Sequence, residues 1–387
     1  MKTINYGRQF IDNDDIKSVK KILLSSYLTT GPAVKKFENA TQKYLDCKYS
    51  LSCNSGTAAL HLAILSLGLK KKSKVIMPCI NFISSFNICK NLGYKIFLAD
   101  VDASTGQMTP HTLLECIRKN KITKIDLVIT MFLGGYAENI PNFFDLKKKY
   151  NFKLIEDSCH AFGSKYKHNT NIYKVGSCKH SDISTFSFHP IKTITTGEGG
   201  LITTNSKKIF NKVRLLRSHG ILKNFKGMHW KYDVVESGYN YRLSDINCIL
   251  GLSQLKKINR FLKKRKLIYY YYKKQFKKYS NIISFPEYDN LLNSSFHLAI
   301  VQINFKKLKR KKDFFIKYLK EKGIIVQYHY IPLYKFKVAK SFQKKFKDAE
   351  KYYSNSISLP IYFNLSKNNL GKISKTVKFF VSTNLIK

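Results

Sequence analysis

A single lysine lies where a buried strand gives way to a tight turn. The segment Ser184–Lys192 is apolar and β-rich, and a glycine-rich sequence (195–200) and another predicted strand, Leu201–Thr204, follow it. A lysine held in this way can lose its proton through desolvation, and its neutral amine can then form a Schiff base with a carbonyl group. Lys192 is therefore the first candidate for a catalytic residue.

Two further segments carry groups that complement such a lysine. Asp157 follows the predicted strand Lys153–Glu156, at the sheet edge where ligands of open α/β proteins bind. The sequence Asn54–Thr57 opens a predicted helix that runs to about Leu67, so backbone amides at its N-terminus can bind an anion. Taken alone, the aspartate and the serine of this segment could each be an ordinary helix cap.

Together these three features predict a site for pyridoxal 5′-phosphate (PLP). The lysine can carry the Schiff base, the carboxylate can keep a pyridine nitrogen protonated, and the helix N-terminus can hold the phosphate. No GxGxxG motif follows a first strand, which disfavours a dinucleotide-dependent dehydrogenase. The eight cysteines form no CxxC pair, so the sequence indicates neither a metal site nor a disulfide framework.

The stretch Ser187–Gly200, SFHPIKTITTGEGG, resembles the DegT-type family of nucleotide-sugar aminotransferases, which are fold-type-I PLP enzymes. The resemblance extends from Tyr6 into the C-terminal part of the chain. It implies that Lys192 carries the Schiff base and that Asp157 is the partner of the pyridine nitrogen. It also implies a set of cofactor-binding residues: Ser55, Gly56, Thr57 and Ser187 at the phosphate, Phe82 on the ring, His160 near the phenolic oxygen, and Asn240 from across a dimer interface.

His160 narrows the resemblance to one branch of the family. Many members carry Gln three residues after the aspartate, whereas this chain is similar to the pseudaminic-acid branch. Members of that branch transfer an amino group from L-glutamate to C4 of a UDP-4-keto-6-deoxy-N-acetylhexosamine. Further matches to the branch are Arg217–Lys223, Leu250–Lys257 and Val326–Tyr334. By the same analogy, the residues facing the sugar nucleotide would be Tyr6, Ser26, Tyr27, Leu28, Thr29 and His329.

The sequence alone leaves other functions to be weighed. Relatives that dehydrate a keto sugar replace the Schiff-base lysine with histidine, so Lys192 argues against that reaction. No residue excludes amination of another 3-keto or 4-keto nucleotide sugar. A formal net charge of +45 raises the alternative of a non-catalytic basic protein that binds nucleic acid. The lysines are spread along the chain and only eight residues are arginine, so we interpret the charge as composition bias and expect no specific nucleic-acid partner.

The elements that must position these residues follow an α/β pattern. Between residues 50 and 205, short apolar runs alternate with helix-length segments, which predicts a mainly parallel sheet within a large domain. Besides those already named, the predicted strands are Lys74–Met77, Lys95–Ala99, Asp126–Phe132 and Ile183–Phe188.

The second half of the chain has a different pattern. Apolar residues at helical spacing predict one long helix or a helix pair over Leu243–Phe276. The tail combines predicted strands, His297–Ile303 and Gly323–Tyr328, with lysine-rich helices, which is typical of a smaller α+β domain. We therefore expect a large PLP-binding domain over residues 1–250, and a linking helix with a small C-terminal domain over 251–387.

The hydropathy pattern gives no indication of a membrane protein. No run approaches the roughly 18 apolar residues of a membrane helix, and the N-terminal residues lack an apolar signal segment. We expect a cytoplasmic homodimer with shared active sites, which binds a UDP-keto-sugar and L-glutamate and no metal.

Overall fold

The computed structural model describes residues 3–222, 230–342 and 346–386. Its helices are α1 (Asn13–Leu23), α2 (Pro32–Leu45), α3 (Gly56–Ser66), α4 (Ile83–Asn91), α5 (Pro110–Lys119), α6 (Ile140–Tyr150), α7 (Lys207–Leu216), α8 (Asp245–Lys256), α9 (Ile258–Gln275), α10 (Lys312–Glu321), α11 (Lys347–Asn355) and α12 (Lys367–Thr383). Its strands are β1 (Tyr49–Cys53), β2 (Lys74–Pro78), β3 (Lys95–Ala99), β4 (Leu127–Met131), β5 (Lys153–Asp157), β6 (Lys165–His168), β7 (Asn171–Lys174), β8 (Ile183–Ser187), β9 (Gly200–Thr204), β10 (Ile221–Leu222), β11 (Asp233–Val234), β12 (Ile283–Ser284), β13 (Ala299–Ile303) and β14 (Ser356–Leu359).

The central sheet has seven strands in the order β1-β9-β8-β5-β4-β2-β3. Only the pairs that involve β9 are antiparallel, so the other six strands run in one direction. Met131 pairs with Asp157, and Asp157 pairs with Thr185, which brings the carboxyl ends of β4, β5 and β8 to one edge. The predicted α/β fold with a mainly parallel sheet is confirmed.

Helices cover the sheet because its central strands are apolar on both faces. Every residue of β4 and β9 is buried, as expected for strands that lie between two layers of helices. Helix α3 is apolar around most of its circumference, and Leu60, Leu62 and Ile64 are among its buried residues. It packs against β8 and β9. This burial fixes the position of the helix N-terminus relative to the strand that precedes Lys192.

The C-terminal part contains a separate three-stranded antiparallel sheet, β12-β13-β14. Helices α9, α10 and α12 pack on it through an apolar cluster that includes Tyr269, Phe315 and Phe380. The prediction of a strand over Gly323–Tyr328 is wrong. This segment forms only isolated bridges, from Ile324 to Ile4 and from Gln327 to Ser358. Two different neighbours use its backbone at single positions, so no continuous ladder forms.

The predicted helical region after Leu243 is a pair of helices, α8 and α9, which meet at Lys257. Residue 250 lies inside α8, and the division of the chain at 250 stays a prediction. The N-terminal segment contacts the C-terminal part, since the Ile361 amide donates to the Tyr6 carbonyl over 3.0 Å. Across the described ranges, the helices are too short or too polar to span a bilayer.

Helix α8 approaches its neighbours closely at Gly251, which has no side chain. A Cβ atom at this position would lie 2.7 Å from the Phe37 ring and 2.8 Å from the Thr196 methyl group. We expect Gly251→Ala to lower the free energy of unfolding by about 1–3 kcal/mol through overpacking. The matched control is Gly371→Ala in α12, where nothing lies within 4 Å of the added atom. The control should raise stability by about 0.5–1 kcal/mol. Equal effects in urea unfolding would contradict this account.

Candidate active site

A cavity of about 570 Å³ lies at the carboxyl edge of β4, β5 and β8. Several of the residues predicted from the sequence line it together: Tyr6, Ser55, Gly56, Thr57, Phe82, Asp157, His160, Ser187, Lys192 and His329. They come from the N-terminal segment, the central sheet and the segment after α10. The fold therefore brings together groups that are more than 300 positions apart in the chain.

One end of the cavity is the N-terminus of α3. Ser55 caps the helix, and its hydroxyl accepts a hydrogen bond from the Ala58 amide over 3.1 Å. A Cβ at Gly56 would lie 2.7 Å from the Ser187 Cβ, so only glycine allows the helix to approach the end of β8 this closely. Helix N-terminal amides and adjacent hydroxyl groups form an anion site. The arrangement fits a phosphate group.

Asp157 is buried at the end of β5, with 2% of its surface exposed. Its Oδ1 accepts a hydrogen bond from the Cys159 amide over 3.2 Å. Burial raises the pKa of Asp157, whereas the hydrogen bonds from Cys159 and the positive charge of Lys192 lower it. A buried carboxylate gains most from a cationic partner, such as a protonated pyridine nitrogen.

Lys192 is positioned by a turn that folds back on itself. The Lys192 amide donates to the His189 carbonyl over 2.9 Å, and the Thr196 amide donates to the Phe188 carbonyl over 3.0 Å. Desolvation lowers the pKa of the Lys192 amine, while the neighbouring Cys159 and Asp157 oppose this shift. A lysine with a lowered pKa can serve as a nucleophile and as a general base near neutral pH.

His160 is held as a neutral imidazole by two hydrogen bonds. The Gly134 amide donates to Nδ1 over 3.2 Å, so in the neutral ring Nε2 carries the hydrogen and donates it to the Tyr330 hydroxyl over 2.9 Å. Burial lowers the pKa of His160 well below its ordinary value, and the charge of Lys192 adds to the effect. The hydroxyl hydrogen of Tyr330 is then free to point elsewhere, and this residue also lines the cavity.

The opposite wall comes from the N-terminal segment and the C-terminal part. The rings of Tyr6 and His329 lie 5.7 Å apart. His329 Nδ1 lies 2.9 Å from the Ser358 hydroxyl. Burial, with a smaller contribution from Lys192, lowers the pKa of His329 to about 3. This wall is therefore polar and uncharged at neutral pH.

Sequence reasoning assigned no role to several residues that line the cavity. Tyr330 lies inside the quoted match Val326–Tyr334, but its hydrogen bond to His160 joins positions 170 residues apart. Cys159 lies between two residues that were named, Asp157 and His160. In the sequence, only their positions within or next to the matched segments could have pointed to Tyr330 and Cys159 as cavity residues.

Five predicted residues do not line the cavity of this chain. Tyr27 and Leu28 are exposed at 57% and 47%, and the backbone of Thr29 bridges to Ser244. Asn240 is exposed and its backbone bridges to Ser218. The roles given to Ser26, Tyr27, Leu28, Thr29 and Asn240 stay predictions. Lys223, at the end of the quoted match from Arg217, lies outside the described residues.

The fold and the site define an aminotransferase. Residues 9–378 match the family described as the DegT/DnrJ/EryC1/StrS aminotransferase family, and the chain belongs to it. The chain is 36% identical to the UDP-4-amino-4,6-dideoxy-N-acetyl-beta-L-altrosamine transaminase of Campylobacter jejuni subsp. jejuni. That match extends over 378 residues, 97% of this chain and 96% of the relative. The aminotransferase activity and the family membership predicted from the sequence are confirmed.

Solved structures agree with this assignment. Helicobacter pylori PseC, described as an aminotransferase involved in the biosynthesis of pseudoaminic acid, has a TM-score of 0.89 and 30% identity. The match covers 98% of this chain and all of that one. Streptococcus pneumoniae Spr1654 has been solved in a PMP form and a PLP form, and each has a TM-score of 0.88. The PMP form is 27% identical, and the match covers 98% of this chain and 98% of that one. The PLP form is 26% identical, and the match covers 99% of this chain and all of that one.

The buried histidines make stability depend on pH. Burial holds the pKa values of His160 and His297 well below the ordinary value and that of His329 at about 3. In the unfolded chain, histidine titrates near pH 6.5. Between these limits the unfolded state binds more protons, so the free energy of unfolding should fall as the pH drops below about 6.5 toward 3. We expect His329→Gln to reduce this loss.

Urea unfolding at pH 7.5 and pH 5 measures the effect. His111→Gln, at an exposed position, is the control and should keep the wild-type difference between the two pH values. The same difference in His329→Gln as in the wild type would contradict a buried neutral His329.

Proposed function

We propose that this protein uses PLP to transfer an amino group from L-glutamate to C4 of a UDP-4-keto-6-deoxy-N-acetylhexosamine. The product would be a UDP-4-amino sugar for pseudaminic-acid-type surface glycans, made in the cytoplasm by a homodimer. The observation that carries the proposal is the convergence of Lys192, Asp157 and the α3 N-terminus on one cavity. The similarity to the Campylobacter transaminase supports the choice of substrate.

The residues present fit the cofactor. When bound, PLP supplies an electron sink for the bond-breaking step at the amino-bearing carbon. Asp157 would hold the pyridine nitrogen in its protonated form, because a buried carboxylate stabilises an adjacent cation. Gly56 leaves room at the helix N-terminus, and the residues proposed to bind the phosphate are Ser55, Gly56, Thr57 and Ser187. Phe82 would pack on the ring, and His160, whose Nε2–H donates to Tyr330, would lie near the phenolic oxygen.

Lys192 would act in both halves of the reaction. Its desolvated amine removes the proton from the α-carbon of glutamate in the first half. In the second half, the same group delivers a proton to C4 of the sugar. Because the enzyme would retain the amino group after 2-oxoglutarate leaves and before the sugar binds, the reaction should show ping-pong kinetics.

The wall formed by Tyr6 and His329 would face the sugar nucleotide. Both residues offer hydrogen-bonding groups without a charge, which suits the hydroxyl and acetamido groups of a sugar. The excess of lysines would attract the UDP diphosphate over long range without providing specificity.

The first test is the visible absorption spectrum of the purified protein supplied with PLP. We expect a band that borohydride abolishes by fixing the cofactor on Lys192, and that L-glutamate removes reversibly. Lys192→Ala should lose the band and lower the rate of amino transfer by at least about 1,000-fold, because the base and the covalent attachment are both lost. The control is the exposed Lys119→Ala, which should behave as the wild type. A normal band in Lys192→Ala would overturn the proposal.

Homodimer formation would account for the exposed apolar side chains near the predicted substrate residues. Leu23, Leu24, Tyr27 and Leu28 are 55%, 80%, 57% and 47% exposed, although each is large and apolar. A second copy covering this surface would remove it from water. The proposed role of Asn240 also requires a second copy, because this exposed residue does not line the cavity of its own chain.

A mixture of two inactive variants tests the shared site. We expect Lys192→Ala and Asn240→Ala to be nearly inactive alone. After unfolding and refolding together, half of the dimers are mixed, and each mixed dimer has one site with both residues intact. The mixture should therefore recover about a quarter of the wild-type activity. If Asn240 serves its own chain, mixing will recover no activity.

A further inference from the structure

Arg265 is a buried cation next to the active site. It lies in α9, and only 3% of its surface is exposed. Within the described residues, it makes no ion pair with a carboxylate at distances up to 4.0 Å. The partly buried Arg217, by comparison, pairs with Glu38. A buried charge without a partner is costly, so its position calls for a physical explanation.

The guanidinium group connects two parts of the chain through backbone carbonyls. Nη1 donates to the carbonyl oxygens of His297 and Ile361, both over 3.1 Å. Nη2 lies 3.5 Å from the carbonyl oxygens of Ile191 and Lys192. His297 and Ile361 flank the strands of the C-terminal sheet, whereas Ile191 and Lys192 belong to the turn that positions the Lys192 amine. The planar fork of donors on arginine suits this arrangement, whereas lysine offers only a point charge.

The charge of Arg265 also acts on the amine of Lys192. Burial lowers the pKa of Arg265 to about 10, so the group is still protonated at neutral pH. Burial is the largest cause that lowers the pKa of Lys192, and the positive charge of Arg265 lowers it further, in opposition to Cys159 and Asp157. The titratable groups coupled to Lys192 in this region are Asp157, Cys159, His160, Arg265, His297 and His329.

We propose that Arg265 is a positioning residue for the transamination reaction. Its fork fixes the Lys192 turn against the C-terminal sheet, and its unpaired positive charge opposes protonation of the Lys192 amine. The catalytic use of this effect rests on the proposed function. The effect on the lysine itself is a property of the folded chain.

Three variants separate the effect of the Arg265 charge on Lys192 from the effect of Arg265 packing. Arg265→Lys keeps a positive charge near the same place but loses the fork. Arg265→Met keeps much of the volume but loses both the charge and the donors. Arg260→Met is the matched control, because Arg260 lies on the same helix and its guanidinium contacts the rings of Phe10 and Phe363.

The experiment measures the reactivity of Lys192 in the full-length protein freed of cofactor. Acetic anhydride is the probe, because it acetylates only the unprotonated amine of a lysine. Mass spectrometry of the peptide that contains Lys192 gives the acetylation rate at each pH between 6 and 11. The rate at the exposed Lys119 serves as the internal reference. Arg265→Met should move the midpoint of the Lys192 profile to higher pH and slow its acetylation at pH 8 by about threefold or more. Arg265→Lys and Arg260→Met should keep the wild-type midpoint.

Three outcomes would overturn the proposal. They are an unchanged midpoint in Arg265→Met, an equal shift in Arg265→Lys, and an equal shift in Arg260→Met. If Arg265→Met does not fold by circular dichroism, Arg265→Gln replaces it and is held to the same criterion. The readout needs neither cofactor nor sugar. A shifted midpoint in a protein that transfers no amino group to the sugar nucleotide would therefore leave the effect of Arg265 on Lys192 standing and overturn its catalytic use together with the proposed function.

Discussion

The desolvation of one lysine next to one carboxylate is the constraint on which the site depends. Burial favours the neutral form of both Lys192 and Asp157, whereas their mutual attraction favours the charged forms. A simple buried ion pair would hold the lysine as a cation and prevent it from acting as a base. The burial of Lys192 and, to a smaller extent, the unpaired charge of Arg265 shift the balance toward the free amine.

This balance requires close approach between elements that are distant in the sequence. The N-terminus of α3 reaches the end of β8 only because residue 56 has no side chain. The parallel register places Asp157 beside Thr185, two residues before the end of β8. The segments that carry Tyr6 and His329 then close the cavity from the C-terminal sheet. The same packing that stabilises the fold therefore sets the electrostatics of the site.

The sequence predicts the sheet well because its strands are short apolar runs separated by helix-length segments. The predicted strand Lys95–Ala99 has the observed bounds, and the residues on strand ends, such as Asp157, follow from topology alone. The sequence does not predict contacts that depend on tertiary geometry. Tyr330 meets His160 across 170 positions, and the buried Arg265 looks like one more cation in the basic run 263–266. The segment Gly323–Tyr328 has the composition of a strand, but its two neighbours allow only isolated bridges.

The most direct test of the central claim follows the nitrogen atom. The protein would be incubated with PLP, L-glutamate labelled with ¹⁵N and a UDP-4-keto-6-deoxy-N-acetylhexosamine, and the sugar nucleotide would be analysed by NMR and mass spectrometry. Our account predicts one ¹⁵N atom per sugar, bonded to C4, with formation of 2-oxoglutarate in equal amount. An unlabelled sugar nucleotide, in the presence of bound PLP and excess glutamate, would contradict it.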